Sequence, residues 1–175
     1  MASKEVTLNP GESKVVTFEA IPSEARIYQV LVNGLTGSFV AVAPFYWLLP
    51  TGHIDPENDW DNEPGAYDGI IDTYAENWTG IEKWSGFIEL IIPPTDISGV
   101  RCYITSPLTP KIGDIDVFYD GAWHDVYEGT LAPGWNEKDI PDGVKVVTKA
   151  RFRMYNRSYT RKMRFRLHEF QFWGA

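Results

Sequence analysis

Two segments of opposite charge carry most of the groups that could do chemistry. From Asp55 to Glu89 there are ten acidic residues and one basic residue, Lys83, whereas Lys145 to Arg166 holds nine Lys or Arg and no acid. The acidic segment could collect a divalent cation, because Ca2+ takes about six to eight oxygens from carboxylates and carbonyls. Its run Asp55-Pro56-Glu57-Asn58-Asp59-Trp60-Asp61-Asn62-Glu63 does not fit an EF-hand loop. Paired carboxylates could also hydrolyse a glycosidic bond. That chemistry needs one carboxyl buried enough to raise its pKa, and a segment rich in Pro, Asn and Gly is expected to be wet. The histidines His53, His124 and His168 have no Ser or Cys nucleophile in a recognisable motif, and Walker, Gly-x-Ser-x-Gly and His-Glu-x-x-His patterns are absent. The expectation is a protein that is not an enzyme. Cys102 is the single cysteine, which excludes an intramolecular disulfide and a cysteine zinc site; within Val100-Arg101-Cys102-Tyr103-Ile104 it reads as a small buried strand residue.

Recognition through aromatic rings is the better-supported chemistry. Aromatics make up 14% of the chain, with seven Trp. Sugars present apolar C–H faces that stack on such rings, with hydroxyls left for Asn, Asp, Arg or His. The aromatics in loop-like segments are Trp60, Tyr67, Trp78, Trp84 and Trp135, and they form the expected ligand-binding set. Each could instead anchor a loop or fill the core, so one or two of the five are expected to be exposed. Trp123 and Trp173, within strand patterns, are assigned to packing. The basic ribbon Arg151, Arg153, Arg157, Arg161, Lys162, Arg164 and Arg166 could meet phosphate or an acidic glycan. It could equally pair with the chain's own acidic loops, pair with a neighbouring subunit, or protect a sheet edge.

A net charge of -8 disfavours nucleic acid and anionic membrane as partners. No run of about 18 apolar residues is present, so membrane insertion through a helix is not expected. The opening Met-Ala-Ser-Lys-Glu lacks the apolar stretch of a signal peptide. Asn77-Trp78-Thr79 and Asn156-Arg157-Ser158 fit the glycosylation sequon, which counts only in a secreted context.

The elements that must position these groups are strands. Helical periodicity is hard to find, while alternation and turn signals recur. Short strands are expected at Val6–Leu8, Lys14–Ala20, Tyr28–Val32 and Ser38–Val42, with turns at Asn9-Pro10-Gly11-Glu12 and Asn33-Gly34. This opening block resembles the final strands of immunoglobulin-like domains of microbial surface proteins. It is too small to close a sandwich by itself, so residues 1–42 are expected to pack on the remainder or to mediate a homo-oligomer. Pro50 to Gly80 reads as a long loop region. Strands resume at Gly86–Ile92, stop at Pro93-Pro94, and follow at Val100–Thr105. A hairpin over Asp116–Tyr127 turns at Asp120-Gly121. Val144–Tyr155 and Met163–Trp173 close the pattern, with Ala150, Phe152 and Met154 on one face and Arg151, Arg153 and Tyr155 on the other.

Three patterns in order resemble the discoidin-like, or galactose-binding, jelly-roll superfamily. Ala66-Tyr67-Asp68-Gly69-Ile70-Ile71-Asp72-Thr73-Tyr74 is similar to its Ala-x-Asp-Gly-x-x-x-Thr-x-aromatic loop. Val117 to Val126 looks like its Asp-Gly–Trp–Val hairpin. Ala150-Arg151-Phe152-Arg153-Met154, followed by Leu167-His168-Glu169-Phe170-Gln171-Phe172-Trp173-Gly174, resembles its last two strands. The resemblance spans roughly residues 55 to 174 and departs from the family in a short basic spacer, Asn156 to Lys162, and in lacking flanking cysteines. It implies an all-β antiparallel jelly-roll sandwich over residues 43–175, with residues 1–42 as an N-terminal β extension. It also implies a structural Ca2+ held by Asp68, Thr73 and Glu169 with carbonyls around Ala66. The alternative is that Asp68 caps its own Asp-Gly turn. Two functional classes follow: a carbohydrate- or surface-ligand-binding module, or a structural component of a virion or surface layer. Either would sit at an extracellular, cell-surface or virion location.

Overall fold

The computed structural model describes residues 6–15, 17, 26–32, 35–41, 44–105 and 111–175. It divides into two compact units, Met1–Ala43 and Pro44–Ala175. In the first, β1 (Ile27–Val32) and β2 (Leu35–Val40) form an antiparallel hairpin in which Val32 stands opposite Leu35. Tyr28 stacks on Phe39 with centroids 5.4 Å apart. The turn at Asn9–Glu12 forms, closed by the Glu12 amide on the Asn9 carbonyl at 3.0 Å. Val6–Leu8, expected as a strand, has none of the pairing of one. Most of Lys14–Ala20 and the Asn33-Gly34 turn lie outside the described residues.

Among the described residues the second unit has eleven strands in hydrogen-bonded continuity: β3 (Tyr46–Leu48), β4 (Gly52–Ile54), β5 (Trp60–Asp61), β6 (Ala75–Thr79), β7 (Lys83–Trp84), β8 (Ile88–Thr105), β9 (Lys111–Tyr119), β10 (Ala122–Leu131), β11 (Gly134–Asp139), β12 (Lys145–Asn156) and β13 (Met163–Gly174). All pairings are antiparallel, and the fold is the expected all-β jelly-roll sandwich. β8 belongs to both layers. Its first half pairs with β12 and β4, its second half with β13 and β11, and Ile97 stands opposite both Lys145 and Gly174. One layer therefore runs β10–β9–β12–β8–β4 and the other β11–β8–β13–β6–β5, with β3 beside the end of β13.

Three differences from the sequence expectation have physical causes. Pro93-Pro94 does not end the strand, because the pairing skips there: Ile91 faces Lys149 and Thr95 faces Val147, so the missing N–H groups fall in a bulge. The Pro50–Gly80 region contains β4, β5 and β6, whose two to five residues are too short for alternation to show. β11 was hidden because Gly134-Trp135-Asn136-Glu137-Lys138-Asp139 is polar on both faces along a sheet edge. The Asp-Gly hairpin is as expected, with Asp120 and Gly121 at φ 50° and 77°, the left-handed pair that a tight two-residue hairpin needs.

The alternation of β12 sets the core. Ala150, Phe152 and Met154 are fully buried, while Arg151, Arg153 and Tyr155 point out. Phe152 belongs with Phe165, Phe170, Phe172, Ile88, Leu90 and Ile115 to one cluster, with no more than 1% of any of them exposed. Truncation here leaves a cavity that a two-layer core cannot collapse. Phe152→Ala should cost about 3–5 kcal/mol, against less than about 0.5 kcal/mol for Val146→Ala on the exposed face of the same strand; urea denaturation of both variants checks the contrast.

Candidate functional site

The five candidate aromatics do not converge. Trp60 is 4% exposed, donates its indole N–H to the Gly86 carbonyl at 3.0 Å and lies against Phe152. It is a core residue at the start of β5, and its ring cannot stack on a ligand. Tyr67 is half-buried, and its hydroxyl shares a 2.8 Å hydrogen bond with His53 Nδ1. Burial and the nearby Glu63 raise the Tyr67 pKa. Trp84 is half-buried against Tyr155, with the Arg153 guanidinium 4.5 Å from its ring centroid. Trp135 packs edge-on against Tyr103 at 5.4 Å, with Arg101 over its face at 4.0 Å. Trp78 alone of the five is open, at 56% exposure.

Trp78 sits on β6 opposite Arg164 of β13, and Glu76 sits opposite Arg166. The Trp78 indole N–H donates to Glu76 at 3.1 Å, and the Arg164 guanidinium lies 5.4 Å from the ring. The second Glu76 oxygen receives Arg166 at 3.1 Å and Arg164 at 3.5 Å. The result is an exposed indole beside two guanidinium groups whose orientation one carboxylate fixes, a surface that can stack an apolar ring and hydrogen-bond its edges.

The candidate cation ligands lie farther along β13. Asp68 does cap its own turn, accepting the Ile70 amide at 2.9 Å. The Thr73 hydroxyl lies 2.8 Å from both Asp68 carboxylate oxygens. Glu169, 1% exposed, faces this loop, and among the described residues only the Gly69 and Phe170 amides approach its carboxylate, neither in full hydrogen-bonding geometry. Burial pushes its pKa up to about 7, the Asp68 carboxylate adds to the rise, and the amides of Gly69 and Phe170 offset part of it. A second oxygen cluster, Asp114, Asp116 and Asp125, has carboxylate oxygens within 4.8 Å of one another and could hold a metal ion. Two of its members are already engaged, Asp114 by Arg153 at 2.8 Å and Asp116 by Arg151 at 2.6 Å. Burial and the neighbouring Asp116 raise the Asp114 pKa against the pull of Arg153.

The remaining reactive groups serve packing. His168 donates Nδ1–H to the Ile71 carbonyl at 2.6 Å, which leaves Nε2 to accept from the Thr105 hydroxyl at 2.6 Å. His124 stacks on Tyr119 at 3.7 Å. Cys102 is fully buried, and that burial pushes its thiol up to about 12. The basic ribbon is largely paired within the chain: Arg151 and Arg153 with the β9 aspartates, Arg164 and Arg166 with Glu76, while Arg157, Arg161 and Lys162 are exposed. Trp123 lies half-buried over Arg151 and Lys149, and Trp173 lies against Trp47. Sequence reasoning passed over Trp47, in the apolar run Phe45-Tyr46-Trp47-Leu48, and Tyr159, which is 79% exposed. The first becomes visible only when cross-strand pairing puts it opposite Trp173.

No family model and no curated protein matches the chain. Solved structures do. The CBM32 of AlyQ, in complex with 4,5-unsaturated mannuronic acid, superposes with a TM-score of 0.53 at 12% identity over 74% of this chain and 99% of that one. Chitosan-binding module 1 from a chitosanase/glucanase of Paenibacillus sp. IK-5 gives 0.55 at 19% identity, over 73% of this chain and 96% of that one. CBM32-1 from a family 31 glycoside hydrolase of Clostridium perfringens gives 0.50 at 13% identity, over 71% and 96%. At such identities the likeness is one of fold, the antiparallel β-sandwich that these modules share with this chain.

Proposed function

We propose that the unit from Pro44 to Ala175 is a non-catalytic carbohydrate-binding module whose stacking platform is Trp78. The exposed indole, flanked by Arg164 and by Glu76, carries this reading. The modules of like fold that bind a mannuronic acid derivative or chitosan support it. An extracellular or surface location follows from such a ligand. Trp78→Ala should weaken binding on a glycan array by about 1–3 kcal/mol, the cost of truncating an aromatic hot spot, with the melting temperature unchanged. Lower stability at unchanged affinity would make Trp78 a packing group and overturn the reading.

The same unit holds a structural Ca2+ between Asp68, Thr73 and Glu169. Support comes from the buried Glu169 carboxylate, which only the Gly69 and Phe170 amides approach and neither in full hydrogen-bonding geometry, and from the Asp68 carboxylate beside it, hard donors of the kind Ca2+ prefers. Calcium at about a hundredfold its Kd should stabilise the fold by about 2.7 kcal/mol, EDTA should reverse this, and Asp68→Ala should abolish it. In EDTA the sign of the pH dependence is set by Glu169. Its folded pKa of about 7 lies above its ordinary 4.5, so between these values the folded state keeps a proton that the unfolded state has lost. Stability should fall as pH rises through that window, by at most about 3 kcal/mol. Glu169→Gln should flatten this fall and remove the calcium response; thermal melts at pH 5 and pH 8 read both.

A second reading concerns the N-terminal unit. β1 and β2 expose Ile27, Leu31 and Val40 at 63%, 72% and 67%, and a lone two-stranded hairpin is marginal in water. Residues 1–42 then serve as an assembly element that joins copies of the chain by strand addition, as in a virion or surface-layer component. Deleting them should leave a folded monomer from an oligomeric parent by light scattering; a monomeric parent whose truncation unfolds would sink this reading.

A further inference from the structure

The outer face of the β13 layer carries a second, unassigned constellation, read off three cross-strand rows. Trp135 of β11 stands opposite Tyr103 of β8, which stands opposite Glu169 of β13. The next row is Glu137, Arg101 and Gln171, and the last is Asp139, Gly99, Trp173 and Trp47. Gly99 has no side chain to fill its place in that last row. The result is a groove of about 250 Å³ lined by Trp47, Trp173, Gly99, Glu137, Lys138 and Asp139. A Cβ on Gly99 would lie 3.1 Å from the Lys138 carbonyl and 3.6 Å from the Asp139 carboxylate, so any side chain there would close the groove.

The walls differ in chemistry. One is the indole pair Trp47 and Trp173, with centroids 5.0 Å apart, backed by Phe45. Trp47 is held in place by the Arg101 guanidinium, which lies 4.1 Å from its ring and 4.0 Å from Trp135 and bonds Gln171 at 2.8 and 2.6 Å. The other wall is acidic. Glu137 reaches Arg101 at 3.4 Å, and Asp139 is exposed with no ion pair or side-chain hydrogen bond among the described residues. The Lys138 ammonium sits over the Tyr127 ring at 3.6 Å. The volume falls just under the range of small-molecule pockets, roughly 300 Å³ and upward, which suits one ring and not a chain.

We propose that this groove is a second sugar site that takes a single pyranose unit, its C–H face on Trp47 and Trp173 and its donors on Asp139 and Glu137. A protonated amine is the best donor for that acidic wall, hydroxyls are weaker, and a sugar carboxylate is repelled. The site draws on the carbohydrate-binding reading for its ligand class but shares no residue with Trp78. About nine strand residues, or about 30 Å, separate the two along β13.

The test is a titration of the full chain with glucosamine, glucose and glucuronate, followed by NMR of the Trp indole N–H signals. Trp47→Phe and Trp173→Phe assign the two relevant peaks. Up to about 50 mM sugar, where a millimolar Kd saturates, both peaks should move with glucosamine, less with glucose, and not with glucuronate. Asp139→Asn, at an exposed position that leaves folding intact, should weaken glucosamine about tenfold and glucose by less than about twofold. The same shifts should persist in Trp78→Ala, so loss of the Trp78 site alone leaves this proposal standing. Still peaks with all three sugars, shifts that vanish in Trp78→Ala, or an Asp139→Asn variant that binds glucosamine as before would overturn it.

Discussion

The structure depends on one strand serving two sheets. β8 spends its first half in the β12 layer and its second in the β13 layer, and Ile97 is the residue at which its partners change. The Pro93-Pro94 bulge interrupts the β12 ladder shortly before that switch by withholding two N–H donors, and pairing with β12 resumes from Thr95 to Ile97. Once β8 is fixed, β11 and β13 are placed on its two edges. Their register then decides that Trp173 faces Asp139 across Gly99 and that Glu169 faces the Asp68 loop. The candidate sites are consequences of that register.

Charge that looks segregated along the chain is interleaved in the fold. The nine cations between Lys145 and Arg166 lie mostly on outward faces of β12 and β13, where antiparallel pairing brings acids from other strands beside them. Arg151 and Arg153 also lie between aromatic rings, Phe87 and Trp123 for the first, Phe87 and Trp84 for the second. A guanidinium held by a carboxylate and by ring faces is a packing unit. The layer explains why a strongly basic stretch offers little free positive charge for phosphate or an acidic polymer, except at Arg157, Arg161 and Lys162.

The fold was legible because β12, β13 and the Asp120-Gly121 hairpin obey alternation and turn chemistry, and their order matched a known jelly-roll pattern. The candidate set Asp68, Thr73 and Glu169 comes only from that resemblance, since tertiary register brings Glu169 to the loop. The aromatic set was less legible. Trp60 lies in an acidic, turn-rich run and reads as loop, yet two residues of strand pairing and one indole hydrogen bond suffice to bury it. Trp47 and Asp139 are some ninety residues apart, and no local pattern links them. Burial and cross-strand partnership are global properties, and single-sequence periodicity does not contain them.

β13 carries one residue too many for a regular ladder: Leu167 stands opposite Ile104 and Glu169 opposite Tyr103, with His168 between. Strict alternation would have put Arg164, Arg166, Phe170 and Phe172 on one face. The extra residue inverts the parity halfway along, so the phenylalanines enter the core while Gln171 and Trp173 join the arginines outside and Glu169, on that same face, lies buried at the Asp68 loop. One inserted residue thus lets a single strand display polar and aromatic groups at both ends of the same outer face. A one-residue insertion or deletion within β13 would therefore turn one end of the strand inside out.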